Sequence, residues 1–206
     1  MQVKLSQAVK MFFGNSSLEM VFFEAIANAL DAEANEITIS ITAKALNQPE
    51  TLQIEISDNG LGFTNERYNK FSKLFDVEES SHKGLGRLVY LCYFDDVKVI
   101  SNYDKVKVRE FDFNEGFKED NFKSSIVPET KSGTVFKMTS YVLQRIAKNE
   151  YVSADYLKSR ILQEFYSRLF HLKDNGQRVV ININTNIENH KKELILLNSD
   201  IPKFKT

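Results

Sequence analysis

Three polar side chains share one face of the first long helical segment. Glu24, Asn28 and Asp31 are spaced four and three residues apart, so on an α-helix they fall within an arc of about 60°. The stripe carries two carboxylates and an amide but no lysine or arginine. Such a face can hold a divalent cation and its waters, or orient an attacking water. A solvated outer helix face is the alternative, and the spacing alone favours neither.

The segment 56–63 (ISDNGLGF) combines a carboxylate with two glycines. Asp58 follows a strand-like run and precedes Gly60 and Gly62. A buried carboxylate can accept a hydrogen bond from an exocyclic amine such as that of adenine, and glycines let a flat ring approach the backbone. Asp-Asn-Gly is also ordinary turn chemistry. The second glycine and the apolar Phe63 favour a ligand site, because a solvated turn needs neither.

Two further glycine-containing segments could contact a ligand. In the run 80–91 (SSHKGLGRLVYL), a polar loop with two glycines and two basic residues leads directly into a predicted helix, where backbone N–H groups can bind phosphate. The run 131–139 (KSGTVFKMT) opens a predicted strand with Gly133 and Thr134, whose hydroxyl could reach a ligand. A helix-capping role for Gly84 and an ordinary strand threonine are the alternatives.

The surrounding pattern predicts the elements that position these residues. Helices are predicted at 17–32, 65–75, 85–93 and 153–172, and strands at 36–43, 52–57, 96–101, 105–113, 133–139 and 178–183. A loop is predicted at 76–83. The later strands follow one another as hairpins, without the regular alternation of a doubly wound fold. This order predicts an α+β two-layer sandwich, in which helices cover one face of a mostly antiparallel sheet.

Composition and charge narrow the class of protein. With 42% hydrophobic and 27% charged residues among 206, the chain can form a sizeable core. The formal net charge of −1 gives no electrostatic argument for nucleic acid, and the longest apolar run, 88–94, is too short to span a bilayer. The N-terminus lacks a signal-peptide pattern and Cys92 has no cysteine to pair with, so a cytoplasmic setting is expected.

One strand could still present a positive face. Lys105, Lys107 and Arg109 alternate within the predicted strand 105–113, so nucleic acid remains an open partner, although a solvated strand face is the favoured interpretation. The three histidines are dispersed and form no zinc motif.

Together, the four segments resemble the motifs of the GHKL ATPases, the superfamily of gyrase, ninety-kilodalton heat-shock chaperones, histidine kinases and MutL-type mismatch-repair proteins. Residues 24–31 (EAIANALD) resemble the N box, and residues 58–62 (DNGLG) resemble the adenine-binding box. Residues 84–87 (GLGR) are similar to the phosphate-binding glycine box, and residues 133–134 to the final Gly-Thr element. All four come in family order within about residues 18–139.

The resemblance implies the Bergerat fold, a two-layer sandwich of the kind predicted above, for a single domain over residues 1–206. The helix and strand predicted within 153–184 are similar to the end of the chaperone-type domain. The chain shows no recognisable effector region, which is compatible with its being the N-terminal part of a longer protein.

The resemblance also implies a role for each matching residue. Glu24 would be the general base for the water that attacks the γ-phosphate, and Asn28 would ligate Mg²⁺. Asp58 would accept a hydrogen bond from the adenine amine, with a water held by Thr134. Loop 76–86 would be the ATP lid. The remaining residues expected at the nucleotide are Gly60, Gly62 and Phe63 at the base, and Lys83, Gly84, Leu85, Gly86 and Arg87 at the phosphates.

The implied function is ATP binding and slow Mg²⁺-dependent hydrolysis, which would drive lid closure and ATP-dependent homodimerisation in a larger, chaperone-like machine. Two alternatives stay open: a sensor that binds ATP while Glu24 is idle, and a kinase domain that transfers phosphate to a histidine. A glutamate at position 24 and the sequence DAEANEI (31–37) resemble the hydrolytic members. The client or effector is not predicted.

Overall fold

The computed structural model describes residue 9 and residues 15–73 and 85–202. The principal helices in these ranges are α1 (Glu19–Asp31), α2 (Asn65–Ser72), α3 (Tyr90–Tyr93), α4 (Ala154–Glu164) and α5 (Tyr166–Asp174). The strands are β1 (Glu36–Ala43), β2 (Gln53–Asp58), β3 (Phe94–Tyr103), β4 (Lys107–Asp112), β5 (Lys123–Ile126), β6 (Gly133–Tyr141), β7 (Val180–Ile187) and β8 (His190–Leu196). Short 3₁₀ turns lie at Pro49–Thr51, Gly86–Val89, Asn149–Val152 and Asn198–Asp200.

The strands form one sheet in the order β5-β4-β3-β6-β2-β1-β7-β8. Neighbouring strands are antiparallel except β1 and β7, which are parallel. Alternation along β1 buries Ile37, Ile39 and Ile41 in the core that the helices share. The opposite face carries polar side chains, including an ion pair between Lys137 and Glu55 at 3.2 Å. This architecture confirms the predicted α+β sandwich with helices on one face.

Helix α1 carries the polar stripe identified in the sequence. Its apolar side is buried, including Phe22 and Ile26 at 0% exposure, whereas Glu24 and Asn28 are half-buried at the edge of the core. The helix ends where the Ala32 N–H bonds to carbonyls of the last turn. Core packing of the apolar side therefore fixes the direction in which the polar stripe points.

Several predicted elements differ in detail from the structure. The predicted helix 85–93 is a 3₁₀ turn followed by the short α3. The predicted helix 153–172 is divided at Phe165, whose backbone leaves helical geometry between α4 and α5. The pattern did not predict β5, which is short and exposed, or β8, which begins with charged residues. The predicted loop 76–83 lies outside the described residues.

Candidate functional site

The polar stripe of α1 forms a hydrogen-bonded pair. The Asn28 side-chain nitrogen donates to Glu24 Oε1 at 3.1 Å. Because a carboxylate only accepts, this bond turns the amide nitrogen toward Glu24 and leaves Asn28 Oδ1 for another partner. Burial raises the pKa of Glu24, the Asn28 bond and the positive charge of Arg87 lower it, and Asp31 raises it. The pair thus offers a basic carboxylate beside a free amide oxygen.

Gly86 lies directly against this pair. A Cβ atom at Gly86 would lie 2.1 Å from Glu24 Oε2, far inside van der Waals contact. Only glycine therefore allows the backbone of the 3₁₀ turn to meet the carboxylate at this distance. This contact joins the first and third sequence segments, which are about 60 residues apart.

Arg87, the next residue, is 5% exposed and turns toward α2. Its NH1 and NH2 groups donate to the carbonyls of Lys70 and Lys73 at 3.3 and 3.0 Å, and its guanidinium lies 5.0 Å from the Phe71 ring centre. Burial lowers the pKa of Arg87 to about 10, against an opposing effect of Glu24. Two of its three nitrogens therefore bond to the end of α2.

A row of polar residues crosses the inner face of the sheet at the end of β2. Asp58 pairs with Thr134 on β6, Thr134 pairs with Ser101 on β3, and Ser101 pairs with Arg109 on β4. The Thr134 and Ser101 hydroxyl oxygens are 3.3 Å apart. The next positions on this face are apolar, so the row is the polar border of the core. It presents a carboxylate and hydroxyls side by side, which suits a ligand with amine and ring-nitrogen groups.

Asp58 is the acidic end of this row. Its Oδ1 accepts the Gly60 N–H at 2.8 Å. Burial raises the pKa of Asp58, while the backbone N–H groups of Gly60 and Thr134 and the charge of Arg67 lower it. A Cβ at Gly133 would lie 2.2 Å from the Asp58 carbonyl oxygen. The segment that begins β6 at Gly133 is thus packed against the segment that contains Asp58.

The two glycines after Asp58 are explained by contacts within the chain itself. A Cβ at Gly60 would lie 2.6 Å from the Ala32 carbonyl oxygen, which also accepts the Leu61 N–H at 2.8 Å. Gly62 has φ +71°, and its Cβ would lie 2.2 Å from the Asn102 carbonyl oxygen. The sequence interpretation gave close approach of a nucleotide as the reason for these glycines. In the structure they let the loop pack between α1 and β3.

Phe63 ends this loop inside an aromatic cluster. Its ring centre lies 5.1 Å from that of Phe71 and 5.6 Å from that of Phe111, and its backbone N–H donates to Ser101 Oγ at 2.7 Å. Leu85, at the start of the third segment, is half-buried against the core. Both side chains therefore pack against the hydrophobic core.

Family comparison identifies the arrangement. The model of a family described as "Histidine kinase-, DNA gyrase B-, and HSP90-like ATPase" matches residues 14–140, which is more than half of the chain and includes all four segments. The chain belongs to this ATPase family. The GHKL resemblance seen in the sequence is thereby confirmed. The helices and strands after residue 140 continue the same sheet and core beyond the matched range.

Solved structures agree on the fold of this family member. The N-terminal domain of a DNA repair protein matches with a TM-score of 0.59 at 16% identity, over 95% of this chain and 56% of that one. The topoisomerase IV ATP-binding domain of Francisella tularensis, solved with a small-molecule inhibitor, matches at 0.58 and 16%, over 92% of each chain. The Aquifex aeolicus MutL ATPase domain, solved with ADP, matches at 0.50 and 17%, over 87% of this chain and 63% of that one.

This chain covers only part of two of these solved structures. The chain spans little more than half of the DNA repair domain and under two thirds of the MutL domain. No curated protein sequence matches this chain. At these identities the likeness establishes the fold of the ATPase family member, and its activity has to be argued from its own residues.

Some predicted site residues of this ATPase family member lie outside the described part of the chain. Lys83 and Gly84 do, and so does nearly all of the predicted lid 76–86. Within the described ranges, no cluster of three His, Cys, Asp or Glu side chains could hold a metal ion. No helix within the same ranges combines the length and apolar character needed to cross a bilayer.

Sequence reasoning missed Arg109 as part of the site's framework. Arg109 was weighed as part of a positive strand face, but it is 3% exposed on the inner face of the sheet. Its guanidinium lies 4.5 to 4.9 Å from the ring centres of Tyr68, Tyr103 and Phe122. It donates to the carbonyls of Phe63 (2.7 Å) and Thr64 (3.2 Å) and to Asn65 Oδ1 (2.6 Å).

The other two members of that basic stripe are paired at the surface. Lys107 donates to Asp104 at 2.9 Å, and Lys105 lies 3.9 Å from Glu129. The alternation along β3 and β4 could have revealed the inward positions of Ser101 and Arg109, because both are in phase with buried apolar neighbours.

Proposed function

We propose that this domain binds ATP and hydrolyses it slowly with magnesium. One observation carries the proposal: α1 runs between the Gly86 contact at Glu24 and the 58–62 loop, which contacts Ala32. Glu24 and Ala32 are eight positions apart in the sequence, which corresponds to about 12 Å along a helix axis. The Glu24 carboxylate thus lies near the middle of α1, the Asn28 amide lies one turn further along, and the loop that carries the proposed adenine-binding carboxylate packs at the C-terminal end.

Recognition of the base is assigned to the polar row. Asp58 accepts a hydrogen bond from the adenine amine, and the buried Thr134 hydroxyl binds a ring nitrogen directly or through water. Ser101 and Arg109 hold the backbone of the loop after Gly62 in place through Phe63. Discrimination of adenine follows, because a guanine carbonyl would face the Asp58 carboxylate.

Hydrolysis is assigned to Glu24. Its carboxylate accepts a proton from water as the water oxygen bonds to the γ-phosphorus, and the bond between that phosphorus and the β,γ-bridging oxygen breaks to release ADP and phosphate. Asn28 Oδ1 is the protein ligand that fits magnesium, since the Glu24 bond leaves it free. Bound magnesium would offset the negative charge of the phosphate oxygens. Lys83, Gly84, Leu85 and the Gly86 backbone remain the proposed phosphate contacts, with Arg87 anchoring that segment to α2.

A phosphate-release assay on the wild type, Glu24→Ala and Glu24→Gln tests the hydrolytic step. We expect the wild type to release phosphate and both variants to fall to background while still binding ATP. Equal release by all three proteins would refute hydrolysis at Glu24. ATP binding without release by the wild type would indicate the sensor function, and acid-labile phosphate on a partner histidine would indicate the kinase function.

The proposal also includes ATP-dependent self-association inside the cytoplasm, as the resemblance to hydrolytic members implies. Light scattering with and without a non-hydrolysable ATP analogue checks it. We expect the mass to double with the analogue, and an unchanged mass at saturation would remove dimerisation from the proposal without affecting the ATP site.

A further inference from the structure

Tyr90, the first residue of α3, buries a hydroxyl that has no visible role. The side chain is 0% exposed, and its ring packs on Phe136 with 5.5 Å between ring centres. Its hydroxyl oxygen has no hydrogen-bond partner of normal geometry in the structure as described. A buried hydroxyl without a partner is unfavourable, so its presence calls for a reason.

The Tyr90 hydroxyl lies near the side chains of the Glu24–Asn28 pair. Tyr90 follows Gly86 by four residues, about one helical turn, and Gly86 is the residue that touches Glu24. The pKa of Tyr90 is raised, first by burial and then by the charge of Glu24, whereas the Asn28 side chain and the charge of Arg87 lower it. The buried hydroxyl is therefore close enough to both side chains of the polar pair to interact with them.

We propose that Tyr90 is a positioning residue for the ATPase site, whose hydroxyl oxygen accepts the second N–H of the Asn28 amide when nucleotide is bound. This inference rests on the proposed function. The first N–H already donates to Glu24 Oε1. When Glu24 and Tyr90 accept the two N–H groups of the Asn28 side chain, the amide cannot rotate. Its Oδ1 then faces the phosphates and the proposed cation.

A rotated Asn28 shows why a second bond is needed. Rotation by half a turn would place Oδ1 against the Glu24 carboxylate and turn the NH₂ group toward the cation, so that both contacts become repulsive. A single hydrogen bond of 3.1 Å to a half-buried carboxylate restrains this rotation only in part. A fixed partner on a fully buried ring restrains it further, because the ring cannot move away.

The test compares two buried hydroxyls that differ in location. Tyr90→Phe removes the hydroxyl and keeps the ring on Phe136. Tyr141→Phe is the matched control, because the Tyr141 hydroxyl is also buried without a partner but lies at the opposite end of β6 from Thr134. We expect both variants to melt at or above the wild-type temperature.

The kinetic expectations separate the two variants. Tyr90→Phe should lower kcat by about tenfold or more and raise the magnesium concentration for half-maximal rate, with KM for ATP nearly unchanged. Tyr141→Phe should leave all three quantities as in the wild type. In an Asn28→Ala background, Tyr90→Phe should not raise the magnesium concentration for half-maximal rate any further, because the hydroxyl acts through Asn28.

Three results would overturn the inference while leaving ATP hydrolysis intact: wild-type kinetics for Tyr90→Phe, a melting temperature of Tyr90→Phe below the wild type, or an undiminished effect in the Asn28→Ala background. Failure of the proposed function itself appears differently, as a wild-type rate no greater than that of Glu24→Ala.

Discussion

Replacing Gly86 with alanine is expected to impair catalysis without unfolding the domain. The new Cβ would lie 2.1 Å from Glu24 Oε2, whereas a carbon and an oxygen need about 3.2 Å or more. The carboxylate is the free end of a flexible side chain, so it can move by about 1 Å at little cost in stability. A displacement of about 1 Å at a catalytic group can lower the rate about 100-fold.

The assay for Gly86→Ala combines phosphate release, ATP binding by calorimetry and thermal melting. We expect a rate about 100-fold below the wild type, with melting temperature and ATP affinity close to the wild-type values. Gly116→Ala is the matched control, since its Cβ would meet only the Asn114 side chain at 3.3 Å, and it should behave as the wild type. A wild-type rate for Gly86→Ala would mean that the position of the Glu24 carboxylate does not matter. That result would refute its role as the base.

Other substitutions give further tests. Asp58→Asn should weaken ATP binding by about 1.5–3 kcal/mol, measured by calorimetry, because the charged acceptor of the adenine amine is replaced by a neutral amide, whose NH₂ group can also face the amine. Unchanged affinity would exclude Asp58 from the base site. The same variant also tests the pKa of Asp58, which burial raises. The wild type should lose stability relative to Asp58→Asn as the pH rises from the ordinary carboxyl range through the raised pKa. A difference in urea unfolding that does not depend on pH would contradict this expectation. Arg109→Lys should lower the free energy of unfolding by about 2–4 kcal/mol, because lysine cannot make the forked bonds to the loop. The exposed control Lys105→Met should change the free energy of unfolding by less than about 0.5 kcal/mol. Equal changes in the two variants would show that the Arg109 contacts contribute nothing to stability.

The local pattern of apolar and polar residues was sufficient to predict the helix and strands that carry the candidate site. The alternation in residues 36–43 gave β1 with both ends correct, and the apolar face of α1 placed Glu24 and Asn28 on its border. The order of four motifs was enough to identify the ATPase family, which the family match over residues 14–140 confirms. These features depend on spacing within a segment, or on the order of segments, and both are visible in a sequence.

Contacts between distant segments could not be predicted in the same way. The bonds of Arg87 to α2 and of Arg109 to the loop at Phe63 join residues 14 to 46 positions apart, and nothing local shows which carbonyl groups these arginines bind. The sequence drew attention to the glycines of the 58–62 loop, but their packing against Ala32 and Asn102 appears only in three dimensions.

The most direct test of the central claim is a crystal structure with magnesium and a non-hydrolysable ATP analogue. The account predicts that the adenine amine donates to Asp58, that the metal is bound by Asn28 Oδ1 and phosphate oxygens, and that the Glu24 carboxylate faces the γ-phosphate. An analogue bound elsewhere, or bound here with the metal away from Asn28, would contradict it.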